Sequence, residues 1–154
     1  GERQRDAQGY REGVGCVVVR PSRTTPLDVA DVEVLLVSGS KNPHKLTIPA
    51  GGLEPFDASA EAGAARELSE EAGAVPTSPL EFLSTLPDTS KLTRTHYFLC
   101  RSASLQQAFP ELASRRRVWL SPPDALVSLQ ASSPVAASAV RMALQAIARS
   151  PPRS

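Results

Sequence analysis

Apolar positions in this 154-residue chain form short β-branched runs separated by turn-forming residues, and they take helical spacing in a few stretches. Val14–Val19 ("VGCVVV") is a continuous run of the kind a strand buried on both faces shows, and Val32–Ser38 ("VEVLLVS") is a second. "KLTIPAGG" predicts a short strand ended by Pro49 and the Gly51–Gly52 pair, and Leu80–Leu86, His96–Cys100 and Arg117–Leu120 predict three more. Between them "RPSRTTPLDVAD", "PDTSKLTR" and "SASLQQAFPELASRR" read as loops, the last with room for a helical turn. Gly1–Gly9 and the terminal "SPPRS" read as loose ends.

Helical spacing first takes over in "DASAEAGAARELSEEAG", residues 57–73. Ser59 or Asp57 can cap its start, and Gly73 supplies a left-handed stop. Ala65, Leu68 and Ala72 lie on the face a core would take. Asp124 is a candidate cap for a short helix over Ala125–Leu129, behind the Pro122–Pro123 pair. Ser133 followed by Pro134 opens a last helix, whose Val140, Leu144 and Ile147 recur toward the core. Strands, one helix, strands, then helices predict an α/β protein with a mixed sheet sandwiched by helices. The length suits a single domain over 1–154, with its core at about 10–149.

Composition adds little until charge is mapped. The formal net charge is +1, but Asp57–Gly73 holds Asp57, Glu61, Glu67, Glu70 and Glu71 against Arg66 alone, a local −4 that leaves +5 elsewhere. An acidic centre in a mildly basic shell suits a metal meeting an anionic small molecule and suits nonspecific nucleic-acid binding poorly, and no specific nucleic-acid partner is expected. No apolar run approaches the ~20 residues of a bilayer-spanning helix, and no signal peptide is legible, so the expected location is the cytoplasm, with the nucleus equally open. Cys16 and Cys100 each sit in an apolar run without metal-ligand spacing and read as buried thiols of a reducing compartment.

The acidic helix raises a physical question, because like charges a turn apart repel by about 0.2–0.5 kcal/mol per pair. At 100° per residue Glu67, Glu70 and Glu71 fall within about 100° of one another and project outward as one stripe. Arg66, one turn before Glu70, can hold that carboxylate. Carboxylates at i, i+3 and i+4 can ligate one hard cation, or two cations sharing a ligand, and Mg²⁺ takes such oxygens together with substrate phosphates. Gly51–Gly52 lets backbone approach the metal or the phosphate. The bland alternative for an isolated "EExxE" is a solvated acidic face.

Together these residues resemble the Nudix box. Arg66, Glu67, Leu68, Ser69, Glu70, Glu71, Ala72 and Gly73 match its second half, whereas Asp57 stands where the first Glu belongs and one extra residue precedes Arg66. The likeness extends over about residues 9 to 145, and "GYREGVGCVVVR", "VLLVSGSKNPHKLTIPAGGLEP" and "RRRVWLSPPDALVSLQASSPV" resemble the diphosphoinositol polyphosphate phosphohydrolases, which also cleave diadenosine polyphosphates. The resemblance implies a Nudix-type α/β/α sandwich and attack of water on a phosphoanhydride phosphorus, with Mg²⁺, or Mn²⁺ in its place, as cofactor. It implies Glu67, Glu70 and Glu71 as metal ligands along with Gly51, and Glu70 as the base or water-orienting group. Glu67 and Arg66 belong to the same catalytic set, Arg66 by orienting a glutamate.

For the phosphates of a small-molecule substrate the resemblance implies Arg11, Ser38, Lys41, Gly51, Gly52, Arg94 and Arg115. Two departures bear on substrate: Gly9–Gly13 reads "GYREG" where that branch carries "GYKKR", and Ser133 stands where it has lysine. Losing such cations disfavours a highly phosphorylated inositol more than a linear dinucleoside polyphosphate. The rival readings are a non-catalytic Nudix-fold binding module and a pyrophosphatase acting on nucleoside triphosphates or RNA caps. His44 and His96 have no partner at ligand spacing, and His96, in a strand, reads as a satisfied core residue.

Overall fold

The computed structural model describes residues 5–22 and 31–149. Of the loop expected over 20–31, residues 23–30 lie outside the described residues, as do the ends 1–4 and 150–154. The main sheet is built around β1 (Arg11–Pro21) and β7 (Thr93–Cys100), which run parallel, Val14 opposite His96 and Val18 opposite Cys100. All its other pairings are antiparallel: β2 (Val32–Ser38) on the far side of β1, β3 (Leu46–Thr47) and β9 (Arg117–Leu120) on β2, β4 (Ala50–Gly52) on β1, and β6 (Glu81–Asp88) on β7. The result is a mixed seven-stranded sheet.

Period-two alternation then divides the strand side chains between two cores. Val17, Val19, Val34, Leu36, Tyr97 and Leu99 pack against α2 (Pro122–Ser132) and α3 (Pro134–Arg149). Val14, Cys16, Val18, Leu35, Val37, Phe98 and Cys100 pack against α1 (Ala60–Ala72). Both faces are therefore apolar, as the unbroken "VGCVVV" and "VEVLLVS" runs require, and the α/β/α sandwich is the architecture found. Cys16 and Cys100 are buried, free and hydrogen-bonded to each other, which together with burial pushes the Cys16 thiol up. No helix among the described residues is long and apolar enough to cross a membrane.

Several boundaries differ from the sequence expectation. The helix expected at Ala125–Leu129 extends over Pro122–Ser132, and its cap is Ser121, whose Oγ accepts from Asp124 N, rather than Asp124. The prolines begin the helix because their missing N–H and fixed φ suit its first turn. Arg5–Gly9 is not loose: Asp6 Oδ1 accepts from the backbone N–H of Gln8 and Tyr10, both at 2.9 Å, closing a turn onto β1. Two short strands escaped the pattern, β5 (Ala74–Pro76) and β8 (Ala103–Leu105), which pair antiparallel apart from the main sheet.

Ser59 caps α1, accepting from Ala62 N, and Gly73 ends it with φ +60°. A Cβ at Gly73 would also come within 2.4 Å of the Phe109 ring. Gly73→Ala is therefore expected to destabilise the fold by at least the ~1 kcal/mol that a left-handed backbone costs a residue with a Cβ, measured by urea denaturation.

Candidate functional site

Strand β4 carries Gly51 and Gly52 along β1, opposite Val14 and Gly13, and the chain then turns through residues 53–59 into α1. This brings Arg66, Glu67 and Glu71, from the middle and last turns of α1, directly across Ala50–Gly52. Glu67 packs against Gly51 so closely that a Cβ there would lie 2.4 Å from its carboxyl carbon. The absent side chain is thus the space a carboxylate occupies.

Arg66 organises what surrounds that contact. Its Nε and Nη2 donate to the two oxygens of Asp57, each at 2.9 Å, and Nη2 also donates to Gly52 O at 3.0 Å. Its Nη1 donates to Glu67 at 2.9 Å and reaches Glu70 at 3.4 Å. Asp57 in turn accepts from Glu54 N at 2.8 Å, and these hydrogen bonds, Arg66 foremost, hold its carboxyl below the ordinary range. Asp57 and the extra residue are accommodated within a tight turn that grips Arg66 from below, while the exposed Phe56 ring lies 5.3 Å from the guanidinium.

The outward stripe expected for the acids is not what α1 presents. Glu67 and Glu71 are buried, and only the Glu70 side chain, 40% exposed, faces outward. Side chains at i and i+4 share one face, and here that face lies beneath β4. Glu71 accepts from Ala50 N at 3.4 Å and hydrogen-bonds Glu67. Burial, then that neighbouring carboxyl, raises Glu71 from the usual carboxylate range to about 9. Glu71, Glu67, Arg66 and Glu70 form one continuous polar chain, although among the described residues no three His, Cys, Asp or Glu groups converge on a single point. Two buried carboxyls in hydrogen-bond contact must share a proton or a cation, so the donor set fits a hard divalent ion.

The cations expected at the substrate side divide into two groups. Arg94 is engaged by Asp6 and Gln8 and stacks on Tyr10 at 4.2 Å. Arg115 is engaged by Glu111 and Ser38 O, and the buried Ser38 places its Oγ on Arg116 N. Lys41 is exposed in the loop after β2. Arg11 has a buried Nε with no hydrogen-bond partner. Gly51 and Gly52 also border a cavity of about 240 Å³ on the α3 side of the sheet, with Thr47, Thr93, Thr95 and Ser133 in its lining and Lys91 and Asp88 as its charged members.

A model of the NUDIX domain matches residues 9–141. The chain belongs to the Nudix family. Among curated proteins it is similar to mouse (Mus musculus) diphosphoinositol polyphosphate phosphohydrolase 3-alpha, 31% identical over 133 residues that cover 84% of this chain and 76% of the relative. It is similar to rat (Rattus norvegicus) diphosphoinositol polyphosphate phosphohydrolase 2 at 30% identity, covering 84% and 69%. Among solved structures it resembles a C. elegans Ap4A hydrolase binary complex, with TM-score 0.63 and 20% identity over 92% of this chain and all of that one. An ADP compounds hydrolase gives TM-score 0.66 at 18% identity over 90% and 74%. Nudix hydrolases act on small-molecule polyphosphates and generally use divalent metal ions.

Sequence reasoning about this Nudix domain missed Lys91 and Thr93, because it read "PDTSKLTR" as a loop, and Thr95, which falls between that loop and the strand expected from His96. In the structure most of that stretch belongs to the β6–β7 hairpin, which carries these residues to the glycine pair. The signal available was period-two polarity in "TRTHY", with Thr93, Thr95 and Tyr97 on one face. His96 is only partly buried and joins Thr85 Oγ1 to Glu12 across three strands.

The raised Glu71 carboxyl has a consequence for the metal-free Nudix domain. An acid whose folded value exceeds its unfolded one favours folding fully below about 4.3, and that contribution is lost as pH rises toward its folded value of about 9. Thermal melts without metal are expected to show Tm falling between about pH 5 and 9 more steeply in the wild type than in Glu71→Gln, which keeps the neutral shape. Equal slopes would remove Glu71 from the account.

Proposed function

We propose that this domain hydrolyses phosphoanhydride bonds in dinucleoside polyphosphates or diphosphoinositol polyphosphates, with Mg²⁺ as cofactor and Mn²⁺ as a substitute. The observation carrying this reading is the Glu71–Glu67–Arg66–Glu70 chain lying beneath Gly51, a residue that also borders the cavity on the α3 side of the sheet. Glu67, Glu70 and Glu71 would hold the cation, with Gly51 offering backbone. When bound, a divalent ion supplies positive charge to the phosphate oxygens and acidifies the attacking water.

This chain's residues do the rest. Glu70, exposed to solvent, orients the water and takes its proton as its oxygen joins phosphorus and the bridging oxygen departs. Arg66, locked by Asp57, fixes Glu67 and Glu70 relative to Gly52. Gly51 and Gly52 let the phosphate chain cross β4. In this reading Lys91, in the lining of the cavity, meets it, and Arg11, whose buried Nε has no partner, is a further cation for it together with Lys41, Ser38 and Arg94.

A cavity whose charged lining is one lysine and one aspartate, with hydroxyls around it, favours the dinucleoside substrate. A polyphosphorylated inositol needs several charge-assisted contacts at once. The test is a panel of diadenosine tetraphosphate, diphosphoinositol pentakisphosphate, nucleoside triphosphate and capped RNA, with and without Mg²⁺, followed by chromatography of the products. Mg²⁺-dependent turnover of the first two, faster for the first, is expected. Tight binding with no turnover of any member would replace this reading with a binding module.

A further inference from the structure

Arg115 is placed unlike a cation waiting for substrate. Its side chain is 13% exposed and its fork is directed inward. Nε donates to Glu111 at 2.6 Å, Nη1 donates to Ser38 O at 3.1 Å, and the same Nη1 lies 3.8 Å from Glu71 Oε1. Its mounting is double. Arg115 N closes a helical turn onto Glu111 O at 3.0 Å, and Glu111 N donates to Glu70 O at 3.0 Å, so this loop docks on the last turn of α1. Next door, Arg116 and Ser38 exchange two hydrogen bonds that pin the loop to the end of β2.

We propose that Arg115 is a positioning residue for Glu71, aimed by Glu111, and does not bind substrate phosphate. The inference rests on the reading of Glu71 as a metal ligand. A guanidinium held by Glu111 at Nε and by Ser38 O at Nη1 is fixed in orientation, and the same Nη1 faces a carboxylate whose other contacts are a 3.4 Å hydrogen bond from Ala50 N and the neighbouring Glu67. Without Arg115, Glu71 loses its only attractive charged partner among the described residues and is aimed by Ala50 N and Glu67 alone. Partners that orient a metal ligand typically change metal affinity by about 10–100-fold when removed, with little call on the substrate.

Two variants separate this from a substrate contact. Mn²⁺ binding is measured on the full chain without substrate, from the electron paramagnetic resonance of the free ion, and KM is measured at saturating Mn²⁺ on whichever panel substrate is turned over. Arg115→Met is expected to raise the Mn²⁺ dissociation constant about tenfold and leave KM within about twofold. Glu111→Gln, which keeps Arg115 but loosens its aim, is expected to weaken Mn²⁺ binding by a smaller factor, again without moving KM. The proposal is overturned if Arg115→Met binds Mn²⁺ as the wild type does, if its KM rises tenfold or more, or if Glu111→Gln lowers KM by freeing the guanidinium. Should Arg115→Met fail to fold, Glu111→Gln decides alone. A wild type that binds no Mn²⁺ removes the metal reading and this one together, whereas equal Mn²⁺ affinity in the wild type and both variants removes only this one.

Discussion

Glu70→Gln is expected to lower phosphoanhydride hydrolysis at least on the order of a hundredfold while the protein keeps its fold, because the change removes a base and a charge from the one solvent-facing carboxylate of the set. The folding side of that expectation follows from its contacts. Glu70 is 40% exposed, and its interaction with Arg66 at 3.4 Å is an i,i+4 pair of the kind worth a few tenths of a kcal/mol. Arg66 keeps Asp57, Gly52 O and Glu67 without it. The Tm of Glu70→Gln is therefore expected to stay close to the wild type, and kcat to fall with it unchanged. Hydrolysis at the wild-type rate would mean that the roles along α1 are assigned wrongly.

The same helix shows how far sequence reasoning reached. Ser59, Gly73 and the Arg66–Glu67 to Glu70–Glu71 spacing carry local signals, so the cap, the stop and the element between them were legible. Which side of the helix faced inward was not. Ala65, Leu68 and Ala72 indicated one apolar face, but α1 is rolled so that Ala64, Glu67 and Glu71 join Leu68 and Ala72 under the sheet. Hydrophobicity alone cannot anticipate two buried carboxylates, because what makes their burial tolerable is nonlocal: Gly51 leaves the space, Ala50 N donates a hydrogen bond, and Arg115 arrives from 44 residues further on. Strands β2 and β9 were legible to the residue since each is a β-branched or aromatic run bounded by polar turns. Strands β5 and β8, three residues each with exposed members, carry too short a pattern to read.

Basic side chains were the least legible part of the site. From sequence, Arg11, Arg94 and Arg115 are equivalent cations near a polyphosphate. In the fold they differ by what reaches them first: Arg94 meets Asp6 and Gln8 from the N-terminal turn, Arg115 meets Glu111 from its own loop, and Arg11 alone of the three has a buried donor without a partner. An arginine's availability depends on acids brought in by distant turns, and no local spacing encodes that. The same consideration favours a substrate of lower charge.

Gly51→Ala is expected to damage chemistry more than folding. A Cβ there would sit 2.4 Å from the carboxyl carbon and 2.5 Å from both oxygens of Glu67, well inside contact distance. The end of a glutamate side chain would ordinarily swing away at little cost. Here it is held by Arg66 at 2.9 Å and by the hydrogen bond with Glu71, so movement disturbs both partners. Arg66 remains fixed by Asp57 and Gly52 O, which means the displacement passes to Glu67 and Glu71 and leaves the loop in place. A shift of about 1 Å in such a group can cost a hundredfold in rate. Gly51→Ala is thus expected to lose on the order of a hundredfold in kcat/KM. Divalent-ion uptake, followed by calorimetry, is expected to weaken in parallel, and Tm to drop by only a few degrees. Wild-type ion uptake by Gly51→Ala would show that Glu67 does not need its place beneath the glycine, and the cation site would have to be sought elsewhere along α1.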